Sequence, residues 1–394
     1  MKLFQKLLLA PAALGLFAPI ASSASEANLM DVSSYSQVDV QVTQDTFKPL
    51  STKNPLLAGG EGLGQNLNND FDTDTFSSTT SASFSSNWVT GAVDGNASQE
   101  KLGATYDWEV SLTTSFNGSD SLDVTLEAGE GGATLTEMDL TETGDAIEVG
   151  EISYTRPVGD YLTLYFSPSG GVGSSLFNTA CVYDGQTNVL DDCGNLATGM
   201  DSGLGSAFAA SVDVGNGLGF SIGYEGENNS DGLMTDEGVD AYGFQASYIK
   251  DNYGVSYTFG QTENFDANFA LTGGETEYQA FNAFFTPDID RFPSINFGIE
   301  WSDNNNITDS DADETSHYFI GAQFENVGNG TLGVAVGSKE PTVENADAET
   351  MYEAYYAYNY ADGITITPVV YVKEEADSGV DDETGIILKT SFEF

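Results

Sequence analysis

Basic residues are scarce in this chain. Eleven Lys and Arg stand against sixty-one Asp and Glu, a formal charge of −50 over 394 residues. That shortage excludes direct nucleic-acid binding, because a phosphate backbone needs a basic surface. It also argues against a polybasic membrane-surface protein. Histidine occurs once, as His317, so a His-rich metal site is impossible. Cysteine occurs twice. Past the N-terminus no apolar run approaches the ~18 residues that a helical membrane span needs. What the chain does have is aromatic residues, at 12%. That is too many for an acidic disordered chain.

The N-terminus reads as an address. Lys2 and Lys6 supply a basic start, Leu7 to Ile20 an apolar stretch, and Ala21-Ser22-Ser23-Ala24-Ser25 the small residues of a cleavage site. Residues 1–24 are therefore a secretory signal peptide. Residues 25–74 are polar and weakly patterned, with Gly59-Gly60-Glu61-Gly62 in their middle, and read as an irregular periplasmic segment.

From residue 75 the text changes to strict alternation. Tyr106, Trp108 and Val110 interleave with Asp107, Glu109 and Ser111, and Ile295, Phe297, Ile299 and Trp301 repeat the theme. A period of two marks a strand with unlike faces. Sixteen such segments fit: 75–93, 102–116, 121–129, 146–156, 161–167, 203–214, 218–224, 241–249, 253–260, 278–285, 294–301, 316–325, 331–337, 351–360, 364–372 and 385–394. The fourth changes parity near Gly150-Glu151, which suits a β-bulge. Connections after even-numbered segments are mostly tight, such as Gly215-Asn216-Gly217 and Ala361-Asp362-Gly363. Asn-Gly and Asp-Gly are favoured hairpin turns. Connections after odd-numbered segments are long and acidic. That alternation is the plan of an all-β, 16-stranded antiparallel transmembrane β-barrel over residues 75–394, with short periplasmic turns and long external loops. A soluble β-protein, such as a surface adhesin without a pore, is the rival reading.

The last strand places Ile386, Leu388, Phe392 and Phe394 on one face and ends the chain on Phe394. This resembles the signal by which outer-membrane barrels are recognised for assembly, and so implies the barrel assembly machinery as a partner. Three stretches near the start (Met1-Lys2-Leu3-Phe4, Leu7 to Gly15 and Asn28 to Ser36) are similar to the N-terminus of the cyanobacterial porins. Phe76-Ser77-Ser78-Thr79-Thr80 and Lys389-Thr390-Ser391-Phe392-Glu393-Phe394 resemble the two ends of that family's barrel. The family is similar to carbohydrate-selective porins, and members are linked to uptake of inorganic ions, including iron. It normally carries an S-layer homology domain after the signal; residues 25–74 lack the helical periodicity of one. The resemblance implies an outer-membrane channel for small hydrophilic solutes or ions, in contact with lipid, and similarity to general porins implies a homotrimer. In porins generally the third external loop folds into the barrel. Phe177, Asp184, Asp191 and Asp192 of the longest connection, 168–202, are by that resemblance the candidates for a constriction.

Parity indicates which residues face the lumen. Asp107, Glu109, Asp123, Glu127, Glu148, Glu151, Asp213, Glu300, Glu325, Glu353 and Glu393 all fall opposite the apolar face, and Lys389 is the base there. Carboxylate rings favour cations in a pore, although such residues are also ordinary solvated lumen positions. No acid falls on the lipid side of a strand in this reading. Cys181 and Cys193 share the long connection. Export suits a disulfide between them, with free thiols or a soft-metal site as the alternatives. Other motifs dissolve on inspection. Asp309, Asp311 and Asp313 have calcium-loop spacing, but Glu314 and Ile320 occupy the positions of the required Gly and Glu. His317 reads as a polar lumen residue near the external end of its strand, not a catalytic base. No enzyme activity, cofactor or resident metal is implied.

Overall fold

The computed structural model describes residues 79–95, 101–131, 134–194, 200, 203–227, 232–235, 238–265, 271–289, 291–305, 314–339, 348–375 and 381–394. The signal peptide expected over residues 1–24, residues 25–74 and the Asp309–Asp313 motif lie outside them.

Sixteen strands close into one antiparallel barrel. They are β1 Thr80–Asp94, β2 Leu102–Thr114, β3 Ser121–Glu130, β4 Glu148–Val158, β5 Leu162–Gly171, β6 Gly205–Gly215, β7 Leu218–Glu227 and β8 Asp240–Lys250. The series continues with β9 Tyr253–Phe265, β10 Leu271–Phe285, β11 Ser294–Asn304, β12 Glu314–Phe324, β13 Gly330–Lys339, β14 Glu349–Ala361, β15 Ile364–Glu374 and β16 Glu383–Glu393. Each pairs with its sequence neighbours, and β1 closes on β16. At the seam the Phe84 amide donates to the Phe394 carbonyl at 2.8 Å, and the Phe394 amide returns the bond at 3.0 Å. Closure leaves no open sheet edge, as a spanning sheet requires.

The tight turns have the chemistry of their sequence. Asn216 and Gly217 both take positive φ, 59° and 87°, the two-residue geometry that matches strand twist. Between β2 and β3, Asp120 accepts hydrogen bonds from the Tyr154 hydroxyl, the Ser115 hydroxyl and the Phe116 and Asn117 amides. Those donors, Tyr154 first, hold its carboxyl well below the usual range. The parity change in the fourth segment is a bulge. Thr125 faces Glu151 and Leu126 faces Val149, so Gly150 is the extra residue.

The outward face is apolar, with Trp88, Phe166, Phe208, Ile222, Phe244, Phe297, Ile320 and Val370 exposed. A surface of this kind belongs in lipid. One expectation fails here: acids do occur on the outward parity. Asp94, Glu130, Asp240, Glu263, Glu275, Glu277, Asp303, Glu314 and Glu374 take it, all at the loop end of their strands. Each sits just beyond the end read from the sequence. Above the hydrocarbon both faces of a strand meet water, so the apolar alternation stops while backbone pairing continues. The effect is largest at β9 and β10. The connection expected over 261–277 contracts to 266–270, with a register shift between Leu271 and Glu275.

Candidate channel and its inner loop

The barrel's apolar core lies inside it, built by two loops. The longer one joins β5 to β6 and runs along the inner wall. Its root is fixed by Glu225 of β7, which accepts from the Gly173 amide at 2.9 Å, and by Ser221, which donates to the Leu176 carbonyl at 2.7 Å. Thereafter every second amide donates to a wall side chain on a later strand. Asn178 reaches Gln245 on β8, Ala180 reaches Ser256 on β9, and Val182 reaches Asn296 on β11. Asp184 reaches Gln323 on β12, and Gln186 reaches Glu353 on β14. The physical reason is the extended chain's period of two, which aims alternate N–H groups at one side. Buried amides need acceptors, and this wall supplies one from each of β8, β9, β11, β12 and β14.

The chain then turns back. Cys181 and Cys193 form a disulfide with Cα atoms 6.0 Å apart. The Cys193 carbonyl lies against β11, accepting from the Asn282 side chain at 3.3 Å. It also lies where Gly298 has no side chain, since a Cβ there would stand 1.9 Å from that oxygen. Gly298→Ala should therefore lift the Cys193 segment off β11, at a cost of about 1–3 kcal/mol. The readout is faster protease nicking within 172–204 of the detergent-folded protein, with the barrel's heat stability unchanged. Equal nicking rates would contradict the seat described.

The loop joining β3 to β4 completes the plug. Met138 bridges Thr187, and the Asn188 amide donates to the Glu137 carbonyl at 3.0 Å. Lys373 of β15 ties this loop to the wall through Glu137 at 2.9 Å, with Glu375 and Glu349 at 3.4 and 3.9 Å. Leu135 and Met138 from one loop pack with Tyr183, Val189, Leu190 and Cys193 from the other. They cover Val89 and Val93 of β1, Phe319 of β12, Met351 and Tyr355 of β14, Val369 and Tyr371 of β15 and Ile387 of β16. One sector of the lumen, from β12 round to β1, is thus filled with hydrocarbon.

The wall from β2 to β4 has the opposite character. Glu109 stands opposite Glu127, and Glu127 opposite Glu148, so three carboxylates form a ladder across three strands. Asp123 and Glu151 flank it on the same inward parity. Glu109, Asp123, Glu127 and Glu151 are half-buried and Glu148 is exposed, so this wall stays wet. Like charges directly opposite destabilise a sheet. Among the described residues no Lys or Arg shares this inward surface.

No protein-family model matches this chain, and no curated protein sequence does. Solved structures do. OprB of Pseudomonas putida, in a high-pH structure, superposes with a TM-score of 0.59 at 11% identity, over 80% of this chain and 94% of that one. The anion-selective porin from Comamonas acidovorans gives 0.59 at 12% identity, over 80% and 99%. OmpT of Vibrio cholerae, folded in vitro and in trimer form, gives 0.54 at 11% identity, over 80% and 100%. The fold is a porin fold. At these identities the likeness is one of backbone.

Within the porin fold the eleven lumen acids do not form a ring. Asp107, Glu109, Asp123, Glu127, Glu148 and Glu151 gather on β2–β4. Asp107 is already engaged there, accepting from the Asn87 amide at 3.0 Å and the Thr141 amide at 3.3 Å. Asp213, Glu325 and Glu393 sit at the turn end. Asp107, Glu300 and Glu353 are corrections to the solvated reading, because all three are buried. Glu353 lies under the inner loop, accepting from the Tyr183 hydroxyl and the Gln186 amide, each at 3.0 Å. Lys389 faces inward on β16.

Among the loop candidates, Phe177 is also corrected. It packs against the cluster of Met200, Leu204, Val239 and Ala241 and anchors the loop's root. Asp184 keeps contact with solvent. Crowding by the surrounding wall pushes its carboxyl up; Lys389 opposes that shift, and Glu325 and Glu393 add to it. Asp191 and Asp192 lie in the 3-10 turn Asp191–Gly194. His317 faces inward, buried, with Glu300 as its register partner.

Glu225, Gln245, Ser256, Asn296 and Gln323, the acceptors that hold the loop, were missed as functional positions. For the three amides the signal is a neutral, two-sided hydrogen-bonding side chain in mid-strand on the lumen parity. Glu225 lay one residue past the end read for its strand.

Proposed function

We propose that this protein is an outer-membrane porin, a passive channel for small hydrophilic solutes or inorganic ions that prefers cations. The observation carrying the reading is the lumen's two-sided character. Hydrocarbon and a hydrogen-bonded loop occupy one sector, and a wet wall of carboxylates occupies the other. An ion passing such a wall exchanges hydration for carboxylate contact when it is a cation and meets repulsion when it is an anion. In the same reading, residues 1–24 direct export, Phe394 presents the last strand to the assembly machinery, and Asp184 adds a carboxylate at the narrowed level. A homotrimer fits this reading.

Planar-bilayer recording tests it. Purified protein should give stepwise conductance, and its reversal potential in a salt gradient should report cation preference. An absence of channels would return the chain to a barrel without a pore, such as a surface adhesin; an anion-selective channel would reject the charge assignment. The preference should also fall as pH falls, because carboxylates neutralise. Asp184, whose carboxyl burial raises above its ordinary value, loses its charge at a higher pH than a free aspartate does. Asp184→Asn should therefore remove part of that decline and leave the remainder.

A further inference from the structure

On the membrane face, between β4 and β7, lies a groove of about 510 Å3. Its sides are Leu164, Phe166, Phe208, Ile222 and Tyr224, and its floor is Ala210. Ala210 creates it. Its register partners are Leu164 on β5 and Ile222 on β7, and along β6 its outward neighbours are Phe208 and Val212. A methyl thus stands where every surrounding position carries a large side chain. Above the notch the rings of Phe166, Phe208 and Tyr224 form a continuous row, with centroids 4.9 and 6.1 Å apart.

Arg156 also lines this groove. It pairs with Leu164, which pairs with Ala210, so it stands two strands from the notch, roughly 10 Å. It is exposed, on the outward parity, two residues before β4 ends at its turn. Its guanidinium lies beside the Tyr154 hydroxyl. The carboxylate behind that hydroxyl, Asp120, is already filled by four donors. Among the described residues, no carboxylate forms an ion pair with Arg156.

Charge on the outward face is segregated along the barrel axis. Its strand acids are at the loop end, whereas Arg156 and Lys250 are at the turn end. An anionic group in the turn-end leaflet therefore meets a base and no outward strand carboxylate. A second copy of this chain is a poorer occupant. Arg156 would need a partner carboxylate at its own height, and the described outward strand acids are all at the other end.

We propose that the groove holds an acyl chain of a glycerophospholipid from the turn-end leaflet, with the lipid phosphate on Arg156. Arginine suits that role because its planar fork takes phosphate oxygens two at a time and tolerates partial desolvation. The carbon stem lies along the apolar wall while the charge stays at headgroup level. The inference needs only that the barrel sits in a bilayer, so it stands apart from the channel reading.

Native mass spectrometry of the detergent-folded protein tests it, with phosphatidylglycerol as probe and a matched diacylglycerol as the headgroup-free control. Wild type should retain phosphatidylglycerol and shed diacylglycerol. Arg156→Gln should weaken retention about tenfold or more. Ala210→Leu, which fills the notch, should abolish it. Both variants should keep wild-type heat stability and conductance, showing an intact barrel. Equal retention of the two lipids, or unchanged retention in either variant, would overturn the proposal. So would loss of a stable oligomer in Ala210→Leu with no lipid retained by wild type, which would make the groove a contact between copies.

Discussion

Replacing Glu109, Glu127 and Glu148 together by Gln should cut the cation-to-anion permeability ratio about a hundredfold at low salt. A unit charge about 8 Å from a passing monovalent ion in water is worth about 0.5 kcal/mol. Three such charges sum to about 1.5 kcal/mol, close to one factor of ten for the cation alone, with an opposite effect on the anion. Screening sets the condition, since the Debye length is about 30 Å at 0.01 M but only about 3 Å at 1 M. The difference between variant and wild type should thus be large in dilute salt and nearly vanish in concentrated salt. A second readout separates function from fold. The three carboxylates are direct cross-strand neighbours, so neutralising them removes repulsion. The variant barrel should unfold at a higher temperature while selecting less well. Asp213→Asn, at the turn end of β6, is the control expected to change the ratio least. A triple variant with wild-type reversal potential in dilute salt would dissociate selectivity from this wall.

The strands were legible because lipid and water impose unlike faces on each one. Ile295, Phe297 and Ile299 alternating with Asn296, Gly298 and Glu300 can hardly be read otherwise. Strand ends were not legible, because that constraint lapses where the barrel rises out of the hydrocarbon. Glu263, Glu275 and Glu277 belong to paired backbone there but follow no apolar rhythm. The filled sector of the lumen left a trace that parity alone discards. Pro368-Val369-Val370-Tyr371-Val372 and Ile386-Ile387-Leu388 are apolar on both parities, as strands buried on both faces are. Val369, Tyr371 and Ile387 prove to face inward against the plug. The route of the inner loop was the hidden part. Gln245, Asn296 and Gln323 announce a polar interior, but an amide facing water and an amide facing a loop are the same letter.

Glu353 gives the sharpest test of that hidden part. Glu353→Ala should convert a quiet channel into a flickering one with larger maximal openings. The carboxylate is buried and carries two donors from the inner loop, the Tyr183 hydroxyl and the Gln186 amide. Tyr183 is itself buried, against Phe319 and Tyr355 at ring distances of 5.3 and 5.8 Å. Its hydroxyl and the amide would be left without their acceptor, at about 1–3 kcal/mol each. A total of about 3 kcal/mol multiplies the detached population of residues 183–187 about a hundredfold, at tenfold per 1.4 kcal/mol. Detachment would be partial, because the Cys181–Cys193 disulfide and the Val182–Asn296 hydrogen bond hold the chain on the near side. Combining Glu353→Ala with Cys181→Ser and Cys193→Ser should therefore exceed the sum of the separate effects, since each tether limits what loss of the other can release. Strict additivity, or a Glu353→Ala channel as quiet as wild type, would mean that the inner loop is held by its hydrocarbon contacts with Phe319, Met351 and Val369 and not by the acceptors along the wall.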